Sequence, residues 1–415
     1  MLRCLIQILF LVFVFSSTFS ISLSQLFLGV CAALFVVAAL REHFNPFAGN
    51  LRWFWSAVAV YIVWLAVVCL LQAEPLRALD HIREEWLFVV VPIAVFLGRD
   101  RRFFDRVAPV LALGLLVVSL VSLLMYACGV QYDWGSGFTP LPETNPRVRG
   151  NFAHALTFGN YAAVGSAFLL AWALTGGEQI GRKTKTLAIG AGVVGLVAVL
   201  LCGSRGPVLA FLVGMAALLI FVTAHRRRWI VALLAALVLV GLLVPSVRSR
   251  FSTELGWHFN TEWAGGRLFI WSRSLEIVFD HPLTGVGPGN FAVAYRRQLD
   301  PEVTSRYWYE HAHNDFLEAA ARSGLPGMAT FALLWLVVLR RLWRGRTQVT
   351  SGSFEHRTLY ASLIGSLVFL AASMTEAAFA DEEVRALLML IWAAGLAAGY
   401  KHEDEAAESG AAMVS

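Results

Sequence analysis

Twelve apolar stretches of near-spanning length follow one another along this chain, and one long polar island, from about Val247 to Gly327, interrupts them. A helix that crosses a bilayer needs about 20 apolar residues, and polar groups are costly in hydrocarbon. A chain divided in this way is expected to fold as a membrane-embedded bundle and to gather its chemistry in the island. The apolar remainder is then scaffold and lipid-facing wall.

Composition agrees with that class. Of 415 residues, 58% are hydrophobic and only 15% charged, with a mean hydropathy of +0.66. A soluble domain carries about 25% charged residues. The pI near 9.1 does not point to nucleic acid, because the basic residues come as short runs between apolar segments, the pattern of cytoplasmic membrane loops. The cysteines, Cys4, Cys31, Cys69, Cys128 and Cys202, lie in or beside apolar segments with no CxxC pair. They read as small core residues, not as a disulfide framework or a zinc site.

The expected fold is all-α and polytopic, with spans at about 4–19, 22–40, 52–71, 86–98, 107–129, 152–175, 187–202, 206–224, 229–245, 326–343, 358–379 and 384–400. The first reads as an uncleaved span, since no A-x-A pattern precedes the next apolar segment. The stretches 86–98 and 187–202 are the shortest for the task. With the N-terminus inside, the arginine-rich runs at 99–106, 226–228 and 340–346 and the basic run at 182–185 all fall on the cytoplasmic side, as the positive-inside rule requires. The organisation is then helices 1–9 over 1–245, a periplasmic catalytic loop over 246–325, helices 10–12 over 326–400 and a cytoplasmic tail over 401–415.

On this topology Arg147, Arg149, Arg205, Arg267 and His313 share the outer face. Leu268, Trp271, Leu275 and Val278 have helical spacing, and Asp280-His281-Pro282 stops the helix they predict. A second, short helix is expected to start near Asn314 or Asp315, with Glu318 three residues after Asp315 resembling a capping box, and to end at Gly324 and Pro326. His313 then sits just before a helix N-terminus, where neutral imidazole and nearby anions are favoured.

These signals have plainer readings too. His311, His313 and Asp315 are metal-ligand types, but ligands at i and i+2 suit a strand, and this stretch runs into a helix. The turn Gly285-Val286-Gly287-Pro288-Gly289 contains GxGxG yet reads as a tight turn, because no clear helix follows it. Arg296, Arg297 and Arg306 read as solvated loop charges. Arg205 stands in the short reversal Gly203-Ser204-Arg205-Gly206-Pro207, which does not need an arginine; it and Arg267 are weighted to function over structure, and Arg147 and Arg149 fit either. Several arginines with one histidine on an outer face suit a diphosphate, since guanidinium groups pair with phosphate oxygens two-pronged and stay charged.

His313-Asn314, nine residues and then Gly324-Leu325-Pro326-Gly327 resemble the pattern H-[NSQ]-x9-G-x-x-[GTY] of the O-antigen ligase family, within the wider ligase and polymerase superfamily. Gly265 to Trp271, Pro282 to Gly289 and Arg147 to His154 resemble further superfamily segments. The resemblance implies an inverting, metal-independent membrane glycosyltransferase with no cofactor. It would move O-antigen from undecaprenyl diphosphate to the lipid A-core oligosaccharide, at the periplasmic face of the bacterial inner membrane. His313 would be the general base; Arg205 and Arg267 would hold the diphosphate with Arg147 or Arg149 assisting; His311, Asn314, Gly324 and Gly327 would support.

Two alternatives stay open: a polymerase or protein O-oligosaccharyltransferase of the same superfamily, and a transporter or flippase of lipid-linked glycan. Ionisable residues inside spans would favour the latter, and Glu376, near the outer end of a span, is the residue to watch.

Overall fold

The computed structural model describes residues 2–47, 51–143, 146–175, 181–243, 265–299, 303 and 309–412. Arg306 and all of 246–264 therefore lie outside the described residues. Every expected apolar stretch falls on helix. In chain order these are α1 (Leu2–Ser16), α2 (Ile21–Arg41), α3 (Arg52–Leu70), a short α4 (Pro75–Asp80), a 3-10 turn at Arg83–Val89 running into α5 (Val90–Leu97), α6 (Arg101–Ala127), α7 (Ala155–Thr175), α8 (Arg182–Leu201), α9 (Arg205–Leu218) and α10 (Ala224–Leu243). After the island's own helices, α11 (Arg267–Asp280) and α12 (Phe291–Arg297), come α13 (Asp315–Gly345), α14 (Phe354–Ser373) and α15 (Glu382–Ala412).

Among the described residues, six helices are long and apolar enough to cross a membrane: α2, α3, α6 from Asp105, α7, α8 and α13. The stretch 187–202, short by eye, gains its length from the residues that precede it in α8. The stretch 86–98 does not gain any. Its helical part, α5, has eight residues, which at 1.5 Å per residue reach only about 12 Å. All eight are buried, so α5 is a core plug packed on α15 and not a lipid-facing span.

The centre of the bundle is α7, buried along nearly its whole length, as expected of a helix apolar all round. It packs against α8, α9 and α14. Small residues permit this, as in membrane helix pairs generally: a Cβ on Gly192 of α8 would lie 2.7 Å from Leu170 Cγ of α7, and one on Gly159 of α7 would lie 2.7 Å from Cys202 Sγ. Cys31, Cys69 and Cys202 are core residues as expected, whereas Cys4 and Cys128 are exposed.

One departure from an all-helical chain is an antiparallel hairpin, β1 (Val130–Asp133) and β2 (Gly137–Pro140), with Val130 opposite Pro140 and Asp133 opposite Gly137. Its turn needs left-handed backbone at Gly135 and Gly137, which glycine supplies without steric cost.

The island folds onto α13 through a small core of its own, including Ile270, Ile277, Phe291, Tyr295, Ala320 and Ala321. The buried face of α11 is Ile270, Ser274, Ile277 and Val278. This corrects the expected stripe, in which Leu275 is in fact exposed. Helix α13 is two helices meeting at a kink: Ser323 and Gly324 leave helical φ/ψ, so the short helix expected from Asn314 or Asp315 ends there and the apolar stretch expected at 326–343 continues to Gly345. The break sits where Gly324 and Pro326 predicted a stop. Its freed groups are taken up by the 282–287 turn: Leu325 N–H donates to Pro282 O at 2.8 Å, Val286 N–H to Ala321 O at 2.9 Å and Gly287 N–H to Arg322 O at 3.0 Å. Trp64 of α3 donates its indole N–H to Ser323 O at 2.8 Å. The GxGxG segment is thus a backbone clamp on the kink.

Candidate functional site

The connections at one end of the bundle converge. Val148 N–H donates to Leu201 O at 3.1 Å, and a Cβ on Gly206 would stand 2.9 Å from Thr375 Oγ1. Between them opens a cavity of about 630 Å³, within the range of small-ligand sites. Its wall includes Arg147, Arg149, His154, His311, His313, Glu376 and Asp381.

Glu376 is the hub. His313 Nδ1 lies 2.8 Å from its Oε2, and Arg267 pairs with its Oε1. Burial alone would raise this carboxyl, but Arg267 and then His313 outweigh burial and hold it below the ordinary glutamate value. A buried carboxylate with no partner would carry a penalty of several kcal/mol, so both partners are needed to keep the charge. An ionised Glu376 only accepts. The Nδ1 atom of His313 must therefore be the protonated one, which leaves the ring's lone pair on Nε2, the arrangement of a base held by a carboxylate.

The backbone fixes the same ring. His313 adopts φ 51°, uncommon for a residue with a side chain, and Trp271 donates its indole N–H to His313 O at 3.4 Å. Tyr309 packs edge-on at 5.4 Å and His311 at 4.5 Å between ring centroids. Asn314 caps α13 by accepting from Phe316 and Leu317 N–H, each at 3.0 Å, and donates to Met374 O at 3.0 Å. Glu318 does not close a capping box on Asp315. The cap is Asn314, and Glu318 accepts from Ala312 N–H at 2.8 Å, holding the loop that presents both histidines.

Two further groups have displaced titration. Burial first, and then the neighbouring His313, push His311 down to about 4, so it is neutral near pH 7. Burial raises Asp381 to about 7, against the opposing effect of its hydrogen bond with Thr157.

Of the residues expected from sequence, His311, His313, Arg147 and Arg149 line the cavity. Arg149 is tied to the hairpin: it pairs with Asp133 and donates to Gln131 Oε1 at 3.2 Å and Ala153 O at 2.8 Å. Thr139 and then Arg149 hold Asp133 below its usual range. Arg267 reaches the site through Glu376, and Arg205 stands at the start of α9 beside the segment that carries Glu376. Gly324 and Gly327 lie at the kink, where a Cβ on Gly327 would come 3.2 Å from Trp64 Nε1, so their part is architectural.

Sequence reasoning singled out Glu376 only as an ionisable residue to watch at a span end, and did not single out His154 or Asp381 as wall residues. A buried acid next to Thr375 at a span end was the available signal. His311 stands beside His313 as a supporting neighbour, although no strand brings the i and i+2 rings together; the turn at His313 does so. With Glu376 they form a set whose ligand-type atoms lie within 4.8 Å of one another. Such a set could hold a metal, although both Glu376 oxygens already face donors.

Comparison with known proteins adds the family. Residues 190–332 match the family model described as O-Antigen ligase, so the resemblance read from the motif is borne out. The matched stretch contains Arg205, Arg267 and His313. A curated relative, the exopolysaccharide production protein ExoQ of Rhizobium meliloti (strain 1021), is 27% identical over 272 residues. That match covers 62% of this chain and 58% of the relative's length.

Proposed function

Starting from an O-antigen-ligase-like stretch that carries the island, we propose that this chain is a metal-independent, inverting membrane glycosyltransferase. It takes polysaccharide from undecaprenyl diphosphate and joins it to the lipid A-core oligosaccharide at the periplasmic face of the inner membrane. The observation that carries the reading is the His313–Glu376–Arg267 chain at the wall of a cavity that also holds Arg147 and Arg149.

In this reaction Nε2 of His313 accepts the proton of the acceptor hydroxyl. The oxygen attacks the anomeric carbon from the face opposite the diphosphate, the bond from that carbon to the phosphate oxygen breaks, and its electron pair leaves on the diphosphate. Glu376 holds the ring and stabilises the imidazolium that forms. Arg147 and Arg149 meet the diphosphate from the cavity wall. Arg267 keeps one arm on Glu376 and offers its remaining N–H groups, and Arg205 adds charge from the start of α9. A diphosphate is a good leaving group, so neutralising it takes the place of a general acid.

The test is transfer from purified lipid-linked glycan to lipid A-core by protein in excess EDTA. His313→Ala should fold, bind donor and lose transfer by about 10²–10⁴-fold, the usual share of a general base. Abolition of wild-type transfer by EDTA would instead favour metal held by His311, His313 and Glu376. A second reading, with a growing polysaccharide as acceptor, is favoured by the exopolysaccharide relative. Offering the repeat polymer in place of lipid A-core separates the two.

A further inference from the structure

A second cavity, of about 340 Å³, lies behind the first and is walled by Phe19, Ser22, Trp134, Asn151, Phe152 and Glu383. Three short pieces of chain separate the two: Gln131 faces the reaction cavity and Trp134 this one; Ala153 and His154 face the first, Asn151 and Phe152 the second; Asp381 faces the first, Glu383 the second. A chain-like substrate leaving the reaction cavity passes over this wall within a few residues.

The chemistry of the second cavity is mixed in a particular way. Trp134 is 64% exposed, yet its ring is fixed, since its indole N–H donates to Asn151 O at 2.8 Å and its plane stands at 89° to Tyr132 at 5.2 Å. A held aromatic face matches the apolar C–H face of a pyranose. Around it Ser22, Glu383 and the Oδ1 of Asn151, whose amide N–H donates to Phe19 O, offer partners to hydroxyl groups. Glu383 meets no cation among the described residues and burial raises its carboxyl, so it offers no counter-charge to phosphate or an anionic lipid headgroup while it can hydrogen-bond to hydroxyls.

We infer that this cavity is a glycan subsite, which stacks a neutral sugar ring on Trp134 and reads its hydroxyls with Asn151 and Glu383. The inference rests on the glycosyltransferase reading and adds to it the part of the saccharide distant from the reacting carbon. Either glycan could supply that ring, the donor polysaccharide or the core acceptor.

The experiment measures binding without turnover, with full-length protein in nanodiscs. One probe is the oligosaccharide of the lipid A-core, freed of acyl chains and phosphate; the other is an oligosaccharide cut from the host's polysaccharide. At least one should bind, with saturation transfer from aromatic protons. Trp134→Ala should weaken it roughly three- to tenfold, the worth of an aromatic face, and Trp134→Phe should restore most of the loss. Binding of the first probe alone assigns the subsite to the acceptor, and of the second alone to the donor. Failure of both to bind wild type, equal binding by Trp134→Ala, or strong quenching of Trp134 by brominated phospholipid overturns the inference, the last by making the ring a membrane anchor. Repeating the titration on His313→Ala keeps it apart from catalysis: transfer retained by His313→Ala refutes the reaction scheme, whereas probe binding lost with transfer chemistry intact refutes only the subsite.

Discussion

The carboxylate of Asp315 accepts the backbone N–H of Phe379, each oxygen 3.1 Å from the nitrogen. Its neighbour Asn314 holds Met374 O at 3.0 Å. The two bonds bracket the segment between α14 and α15 in which Glu376 stands, so the start of α13 sets both members of the His313–Glu376 pair. Asp315→Asn, which keeps the shape but weakens acceptance from the N–H, should lower kcat by about three- to tenfold, the worth of roughly 1 kcal/mol, with donor KM little changed. Asp315→Glu should recover less than half of the loss, because the longer side chain misplaces the bracket. An unchanged kcat in Asp315→Asn would leave this residue with a folding role alone.

Glu376→Gln tests the hub. The amide cannot stabilise an imidazolium and leaves Arg267 without its counter-charge, so transfer should fall by at least about 10²-fold, in line with general-base effects. Donor binding should persist or strengthen, because Arg267 is released toward the diphosphate. Loss of donor binding together with transfer would argue that Glu376 shapes the cavity and does not tune His313.

Two buried titrating groups pull stability in opposite directions over one pH window. Asp381 titrates near 7 when folded and near 3.8 as an ordinary aspartate, so the unfolded chain releases this proton first, and stability from this group is lost as pH rises from about 4 to about 7. His311 titrates near 4 when folded against 6.5 ordinarily; here the unfolded chain binds the proton first, and stability falls as pH drops from 6.5 toward 4. Thermal unfolding of detergent-purified protein over that shared window should therefore show Tm rising more steeply with pH in Asp381→Asn than in wild type, and rising less or falling with pH in His311→Asn. Identical Tm profiles for wild type and both variants would count against the burial of these groups.

Gly285→Ala tests the clamp on the kink. At φ 61°, a Cβ there would lie 2.5 Å from Ala321 O and from Ser323 N, both backbone, so the turn has to lift away. A destabilisation of about 1–3 kcal/mol should appear as a lower Tm and as faster proteolysis between α11 and α13. A wild-type Tm would show that the turn yields without cost.

Hydropathy alone made the helices and their order legible, because apolar runs of this length have few other uses. Spans that rely on neighbours were not legible in the same way: α5 reads as a short membrane segment until α15 is seen to cover it. In the site, His313 and the cap at Asn314 could be read from local sequence, since turn and cap chemistry are local. Glu376 could not, because its partners Arg267 and His313 are 109 and 63 residues away, and only the folded bundle brings them within reach. The hairpin was missed for a different reason. Its glycines at 135 and 137 and its alternating aromatics are a strand signal, overshadowed by the helices on either side.

The grip on the kink of α13 also bears on engineering. The kinked rod that begins beside His313 ends at Gly345, and its break is gripped both by the turn at 282–287 and by Trp64 from α3. A chimera that exchanges only the polar loop between relatives would part the rod from its grip. One that keeps the fold should carry the rod and the face of α3 together with the loop, so the transferable unit is wider than the polar segment alone.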